Sequence, residues 1–283
     1  MILIADSGST KCDWVLKNPN GALMEFETIG YNPLFHPEHR ILNALFEKKE
    51  VREYQDQVKT IFYFGAGNSS QEVCEVMANT LNKVFPKAEI MALTDMHGAA
   101  LATFDGKEGI SCILGTGANA CFFDGQKTIF KKPALGYILG DEGSGAYFGK
   151  KLIAAFLYQV LPPEISNDFQ QEFQLEKADI IKAVYQQERP NVFLASFMPF
   201  IHKHRAHPFM QTMLRRGFRT FLLIQVSCFR DFRKMPVHFV GSVAWFFQEE
   251  LKLEADRLGI TLGQFIHKPI NHLKLLNLHN LIN

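Results

Sequence analysis

Apolar residues recur with a period of two through the opening of the chain, which predicts three strands in a meander: Ile2–Ala5, Cys12–Leu16 and Ala22–Thr28. Asn18-Pro-Asn-Gly21 supplies the second turn. The period then changes to that of a helix over His39–Tyr54. Thr60–Gly65 is a β-rich run that ends in Gly-Ala-Gly-Asn-Ser-Ser, and Ser69 with Glu72 forms a capping box for the amphipathic stretch Gln71–Phe85. Glu89–Thr94 reads as another short strand, ending in Asp95, and Gly98–Phe104 as a helix of small residues. A meander followed by βαβα units predicts a mixed sheet with helices on its faces.

Near Asp105-Gly-Lys-Glu-Gly109 the order starts again, with strands at 110–114, 120–123 and 127–130 and an Asp124-Gly125 turn. This repeat sets the expected domain boundary, giving domains 1–106 and 107–283. A glycine-dense loop, Leu135-Gly-Tyr-Ile-Leu-Gly140-Asp141-Glu142-Gly143-Ser144-Gly145, launches a helix through about Leu161. Residues 166–230 carry almost no strand signal, and helical spacing over Ile180–Gln187 and Met210–Phe229 marks a helical insertion in the second domain. Val237–Val240 is a compact strand, Gly241-Ser242 a turn, Ala244–Leu258 a helix and Gly263–His267 a last strand.

Composition narrows the class. The 283 residues with 47% apolar content are enough for two domains, each with a core. Thirty basic residues against 29 acidic ones imply no global attraction to nucleic acid or to anionic lipid. Five cysteines, never spaced C-x-x-C, argue against a disulfide framework, a zinc knuckle or an iron–sulfur cluster and fit a reducing cytoplasm. There is no leader pattern before the first strand and no apolar run near 18 residues, so neither export nor a membrane span is expected.

Two turns carry the chemistry. Asp6-Ser-Gly8-Ser9-Thr10-Lys11 and Gly115-Thr116-Gly117 each join two strands and offer backbone N–H groups and hydroxyls, the first with an acid. Such turns suit a magnesium-bound phosphate, and a pair of them predicts a clamp on a polyphosphate, with Asp6 on magnesium directly or through water. Gly115-Thr-Gly-Ala-Asn-Ala120 also fits G-x-G-x-x-A, but a strand rather than a helix follows it, which excludes a dinucleotide fold. No P-loop pattern occurs. Asp95 suits both a helix N-cap and a general base. Asp141 and Glu142, among Gly140, Gly143 and Gly145, read as a binding loop. His202, His204 and His207 look like a solvated helix end rather than a metal site. Trp245, Phe246 and Phe247 are expected in the core beside the Gly241-Ser242 turn.

In this order and at these separations, Asp6-Ser-Gly-Ser-Thr-Lys11, Leu114-Gly-Thr-Gly-Ala-Asn119, Leu139-Gly-Asp-Glu-Gly-Ser144 and Val240-Gly-Ser-Val243 resemble the N-acetylglucosamine kinase branch of the sugar kinase and actin superfamily. That branch also holds the ATPase activators of benzoyl-CoA reductase and hydroxyacyl-CoA dehydratases. The resemblance covers nearly the whole chain. It implies an α/β protein of two ribonuclease H-like domains, the actin-like ATPase fold, with an inter-domain cleft that closes over substrate. The last helix, about 270–283, is expected to pack back on the first domain. By the same resemblance Asp6, Gly8, Ser9, Thr10 and Lys11 hold ATP phosphates and Mg2+, with Gly115, Thr116 and Gly117 as the opposing turn. Gly241 and Ser242 match the adenosine motif, Asp95 the catalytic base, and Asn32, Asn119 and Asp141 the sugar contacts. The implied activity is transfer of the ATP γ-phosphoryl to a hydroxyl of an amino sugar, with N-acetylglucosamine or a relative as the small-molecule partner. An ATPase that activates a partner enzyme and a silent sugar sensor are the alternatives. No nucleic acid or membrane partner is implied, and a homodimer is compatible with the family. Two departures stand out: Ala134-Leu135-Gly136 replaces the family's Gly-Trp-Gly, and Pro269-Ile-Asn-His272 lacks its usual glycine.

Overall fold

The computed structural model describes residues 1–33, 36–67 and 70–282. The chain divides into two compact units: one comprises Met1–Lys107, Phe123–Thr128 and Lys268–Asn283, and the other Glu108–Phe122 and Ile129–His267.

The first unit is built on a five-stranded sheet. Its strands are β1 (Ile2–Ser7), β2 (Lys11–Lys17), β3 (Leu23–Ile29), β4 (Thr60–Gly65) and β5 (Glu89–Thr94), in the order β3-β2-β1-β4-β5. The meander strands pair antiparallel, whereas β1, β4 and β5 run parallel. β4 is buried at every position, as expected of a central parallel strand covered on both faces. Helices α1 (Glu38–Phe46), α2 (Lys49–Tyr54), α3 (Gln71–Asn82) and α4 (Asp95–Thr103), with a 3-10 turn at Gln55–Gln57, accompany these strands. The single helix expected over His39–Tyr54 is thus two, broken at Glu47-Lys48. Ser70 caps α3 by accepting from the Val73 amide; the expected cap Ser69 lies outside the described residues.

The second unit carries β6 (Gly109–Leu114), β7 (Ala118–Phe123), β8 (Thr128–Ile129), β9 (Val237–Val240) and β10 (Leu262–Ile266), in the order β10-β9-β6-β7-β8. Reversed, this order is that of the first sheet, with β6, β9 and β10 in the places of β1, β4 and β5. Between β8 and β9 the chain is helical: α5 (Gly136–Leu139), α6 (Gly145–Leu157), α7 (Pro163–Phe173), α8 (Lys177–Tyr185), α9 (Pro190–Ala195), α10 (Met198–Lys203) and α11 (Pro208–Phe221). A π-turn over Leu222–Val226 ends α11, so the regular helix is shorter than the expected Met210–Phe229. Gly149 lets α6 approach α9 so closely that a Cβ there would overlap the Leu194 carbonyl. Phenylalanines dominate this core, among them Phe148, Phe169, Phe197, Phe200, Phe218 and Phe221.

After β9 come α12 (Ser242–Phe246) and α13 (Gln248–Leu258), and after β10 come α14 (Ile270–Leu273) and α15 (Leu278–Ile282). α14 packs on α4, β1 and β2 in the first unit. Lys268 and Lys274 tie this C-terminal segment to Asp13, Glu27 and Glu25 of the meander. Among the described residues no helix is long and apolar enough to cross a membrane.

Candidate active site

Register decides which residues of the first unit share an edge. Ser7 pairs with Gly65 and Gly65 with Thr94, so β1, β4 and β5 end at one level. The residues at these ends, Asp6 of the first turn and Asp95 just beyond Thr94, therefore lie on the carboxyl edge of the sheet, where parallel α/β sheets bind ligands. Two strand spacings, about 10 Å, separate β1 from β5. Thr94 accepts from the His97 amide and is the N-cap of α4. Capping therefore falls to Thr94, and Asp95, the first helical residue, accepts from the Met96 amide at 2.8 Å.

Asp6 stands directly across from Asp13 in the β1–β2 ladder. Burial, then the like charges of Asp13 and Asp95, push its carboxyl up to about 7. Lys11 and the Ile270 amide work in the opposite direction. Lys11 itself is held by Asp13 at 3.0 Å and Glu27 at 2.9 Å, with Lys268 joining the same two acids at 3.4 and 3.5 Å. The turn between Asp6 and Lys11 closes through Gly8 N–H to Lys11 O at 3.0 Å, and Gly30 N–H donates to Thr10 O at 3.1 Å.

The Gly30-Tyr31-Asn32 segment seats this turn from beside it. The Tyr31 amide donates to the buried Ser7 hydroxyl at 3.4 Å. Asn32 follows, its amide donating to His36 Nδ1 at 3.1 Å and its side chain lying against Gly67, where φ is +87°. Gly30 and Gly67 are supports that motif reading missed; only close approach in the fold, of the first turn's backbone to Gly30 and of the Asn32 side chain to Gly67, reveals them.

In the second unit the same register logic applies. Ile113 pairs with Val240 and Val240 with Ile266, so the residues that follow, Leu114-Gly115, Gly241 and His267, share the carboxyl edge. Gly241 has φ +108°, and a Cβ there would lie 2.6 Å from the Leu114 carbonyl oxygen, so only glycine passes at this point. The 115–117 turn is braced by the binding loop: Gly145 and Ala146 amides donate to the Gly115 and Thr116 carbonyls at 2.8 and 3.1 Å. Ser144 caps α6.

Asp141 joins these parts. It is a non-glycine residue at φ 55°, a conformation sustained at a cost where the surroundings impose it. Its Oδ1 accepts from the Ala118 amide at 3.3 Å, beside Asn119, and its Oδ2 faces the Gly117 Cα. Burial raises its carboxyl to about 6, the Ala118 hydrogen bond opposing and Glu142 adding to the rise. The structure thus brings together Gly115, Thr116, Gly117, Asn119 and Asp141, with Gly241 and Ser242 next to them. Asp6, Gly8, Ser9, Thr10, Lys11, Asn32 and Asp95 belong to the other unit.

Two more side chains escaped sequence reasoning. Lys150 donates to the Tyr137 carbonyl at 2.8 Å and so holds α5 beside Asp141. Of the three aromatics expected in the core, only Phe247 is buried; Trp245 and Phe246 are exposed by 40% and 51%. The histidines pair separately, His202 with Arg205, His204 with Asp168 and His207 with Glu164.

No family model matches the chain. A candidate N-acetylglucosamine kinase from Porphyromonas gingivalis is 37% identical, superposes with a TM-score of 0.90, and the alignment covers 97% of this chain and 98% of that one. A second such candidate, from Chromobacterium violaceum, is 16% identical with a TM-score of 0.73 over 97% of each chain. The Streptomyces griseus ROK-family glucokinase, solved with glucose and AMPPNP, shares the fold at 14% identity and a TM-score of 0.57, covering 94% of this chain and 93% of that one. The Vibrio cholerae glucosamine kinase is 26% identical over 156 residues, 54% of this chain; the match spans about half, 53%, of that curated relative. The chain belongs to the N-acetylglucosamine kinase-like branch of the sugar kinase/actin-like ATPase superfamily, and its two α/β units are those of that fold.

Proposed function

We propose that the protein is an ATP-dependent kinase that transfers the γ-phosphoryl group to a hydroxyl of an amino sugar, N-acetylglucosamine or a close relative. The observation that carries this reading is the shared edge of β1, β4 and β5, with Asp6 and Asp95 on it. The 37% identical relative from Porphyromonas gingivalis and the glucosamine kinase from Vibrio cholerae support the acceptor class.

In this reading Asp95 accepts the proton of the attacking hydroxyl as its oxygen bonds to the γ-phosphorus and the bond to the β,γ-bridging oxygen breaks, releasing ADP. Gly8, Ser9 and Thr10 in the first unit, and Gly115, Thr116 and Gly117 in the second, offer amides and hydroxyls to phosphate oxygens. Lys11, engaged with Asp13 and Glu27, acts mainly by setting the charge around Asp6. Gly241 and Ser242 take the adenosine. Asn32, Asn119 and Asp141 contact the sugar.

Asp6 fits a magnesium site: a carboxyl pushed up to about 7 among other acids is one whose ionised form a dication would stabilise. When bound, Mg2+ would neutralise charge on the transferring phosphates. The five cysteines are free thiols, which supports a reducing, cytoplasmic setting.

The test is ADP release against hexoses, hexosamines and N-acetylated hexosamines, with Asp95→Asn in parallel. Turnover stimulated by one amino sugar and reduced by about 10²-fold or more in Asp95→Asn is expected. ATP hydrolysis that ignores every sugar and survives Asp95→Asn would refute the assignment.

A further inference from the structure

The short helix α12 is packed inside out by size. Val243 and Ala244 are buried, whereas the larger Trp245 and Phe246 face outward. They are not scattered apolar residues of the kind any surface carries. Trp245 stacks on the exposed His267 ring, with centroids 5.8 Å apart and planes 16° from parallel. Phe246 meets the same imidazole edge-on at 5.3 Å and reaches His202 at 5.7 Å. The result is an exposed aromatic platform.

Its place in the sheet is what gives it meaning. Gly115, Gly241 and His267 follow the aligned ends of β6, β9 and β10, so they run in a row across about two strand spacings, or about 10 Å. One end of the row is the phosphate turn and the other is His267. Trp245 lies three helical residues past Ser242, on the same helix face about 4.5 Å further along. That row matches the order of parts in a nucleotide, from phosphates through sugar to a flat base.

We propose that Trp245, stacked on His267 and flanked by Phe246, is the base platform of the nucleotide site and selects a purine, because larger π-faces stack better. The inference rests on the phosphate-binding reading above and adds to it the residue that carries base affinity. Stacking on an aromatic side chain reads the face of the base and not its edge, so adenine and guanine are both expected to bind, ahead of pyrimidines.

The test measures ADP, CDP and inorganic tripolyphosphate binding by calorimetry to the whole protein, to Trp245→Ala and to Trp245→Phe. Trp245 is exposed, so the variants should fold, which melting curves check. Expected is a loss of about tenfold in ADP affinity for Trp245→Ala, little change for tripolyphosphate, and recovery in Trp245→Phe. Intrinsic fluorescence gives a second readout: Trp14 is buried, so ADP should quench wild-type emission, and Trp245→Phe should abolish the quench. Unchanged ADP affinity in Trp245→Ala, equal binding of CDP, or equal quenching by tripolyphosphate would overturn the platform. So would emission that depends on protein concentration alone, which would assign the patch to a second copy of the chain. Failure of wild-type protein to bind any nucleotide would instead sink the kinase reading itself.

Discussion

Gly30→Ala tests whether the first turn is held rigidly enough to position phosphate. Gly30 is not among the residues of positive φ, so alanine fits its backbone and the perturbation is steric alone. A Cβ there would overlap the Gly8 carbonyl oxygen and lie 2.8 Å from both the Lys11 nitrogen and the Ser9 carbonyl carbon. Ordinary contact begins near 3.4 Å, so the turn has to retreat by about 0.6 Å from those atoms and further from Gly8. Overpacking of this kind costs about 1–3 kcal/mol. A displacement approaching 1 Å costs up to about 10²-fold in rate when it moves a reacting group.

The expected result is therefore a fall of about 10–100-fold in kcat/KM for ATP, together with a loss of stability of about 1–3 kcal/mol. Stability is read in a Trp245→Phe background, where Trp14, buried in the first unit and stacked on Phe26 at 5.8 Å, is the remaining reporter. Gly8→Ala is the control for stability alone, because its Cβ meets nothing nearer than the Lys11 carbonyl at 3.7 Å. Wild-type kcat/KM and wild-type stability in Gly30→Ala would refute the idea that Gly30 seats the turn.

Gly8→Ala and Gly115→Ala should leave folding unchanged or slightly improved, since both sites have room, yet weaken tripolyphosphate binding if phosphate oxygens approach those backbones; calorimetry decides. Asp141→Asn should stabilise the second unit in a pH-dependent way. The folded carboxyl titrates near 6 against 3.8 in the unfolded chain, so Asp141 contributes no penalty below about pH 4 and its full penalty above about pH 6. Two pH units correspond to an upper bound of about 3 kcal/mol, seen as a melting difference at pH 8 that vanishes at pH 4, while sugar phosphorylation falls. A difference that is the same at both pH values would show that the effect is not ionisation. Lys150→Met removes the donor that holds α5 through the Tyr137 carbonyl, and should raise KM for the sugar more than KM for ATP.

Much of this was legible because the sequence repeats its local code. Short apolar runs marked β4, β5 and β9 to the residue, and the recurrence of strand-turn-strand near residue 110 foretold a second sheet, whose reversed strand order is that of the first. What local pattern does not encode is who touches whom across the sheet. Asp95 looked equally like a cap until the structure gave capping to Thr94, one residue earlier, a distinction set by the hydroxyl's reach to the His97 amide. Gly30 carried no signal, because its requirement is imposed by a turn some twenty residues away.

Trp245 and Phe246 were misread for a related reason. Apolar character predicts burial on average, but α12 is too short to bury more than one face, and that face is filled by Val243, Ala244 and Phe247. The two remaining rings turn outward where His267, the residue after β10, is ready to stack. His267 holds in the second sheet the position that Asp95 holds in the first, just past the strand two places from the phosphate turn. The duplicated architecture thus offers one carboxyl-edge position twice. In one copy an acid stands there, suited to proton transfer; in the other an imidazole carries an indole, suited to a base. In the proposed reading that one position supplies the proton acceptor, Asp95, in the first unit and the support of the base platform, His267, in the second.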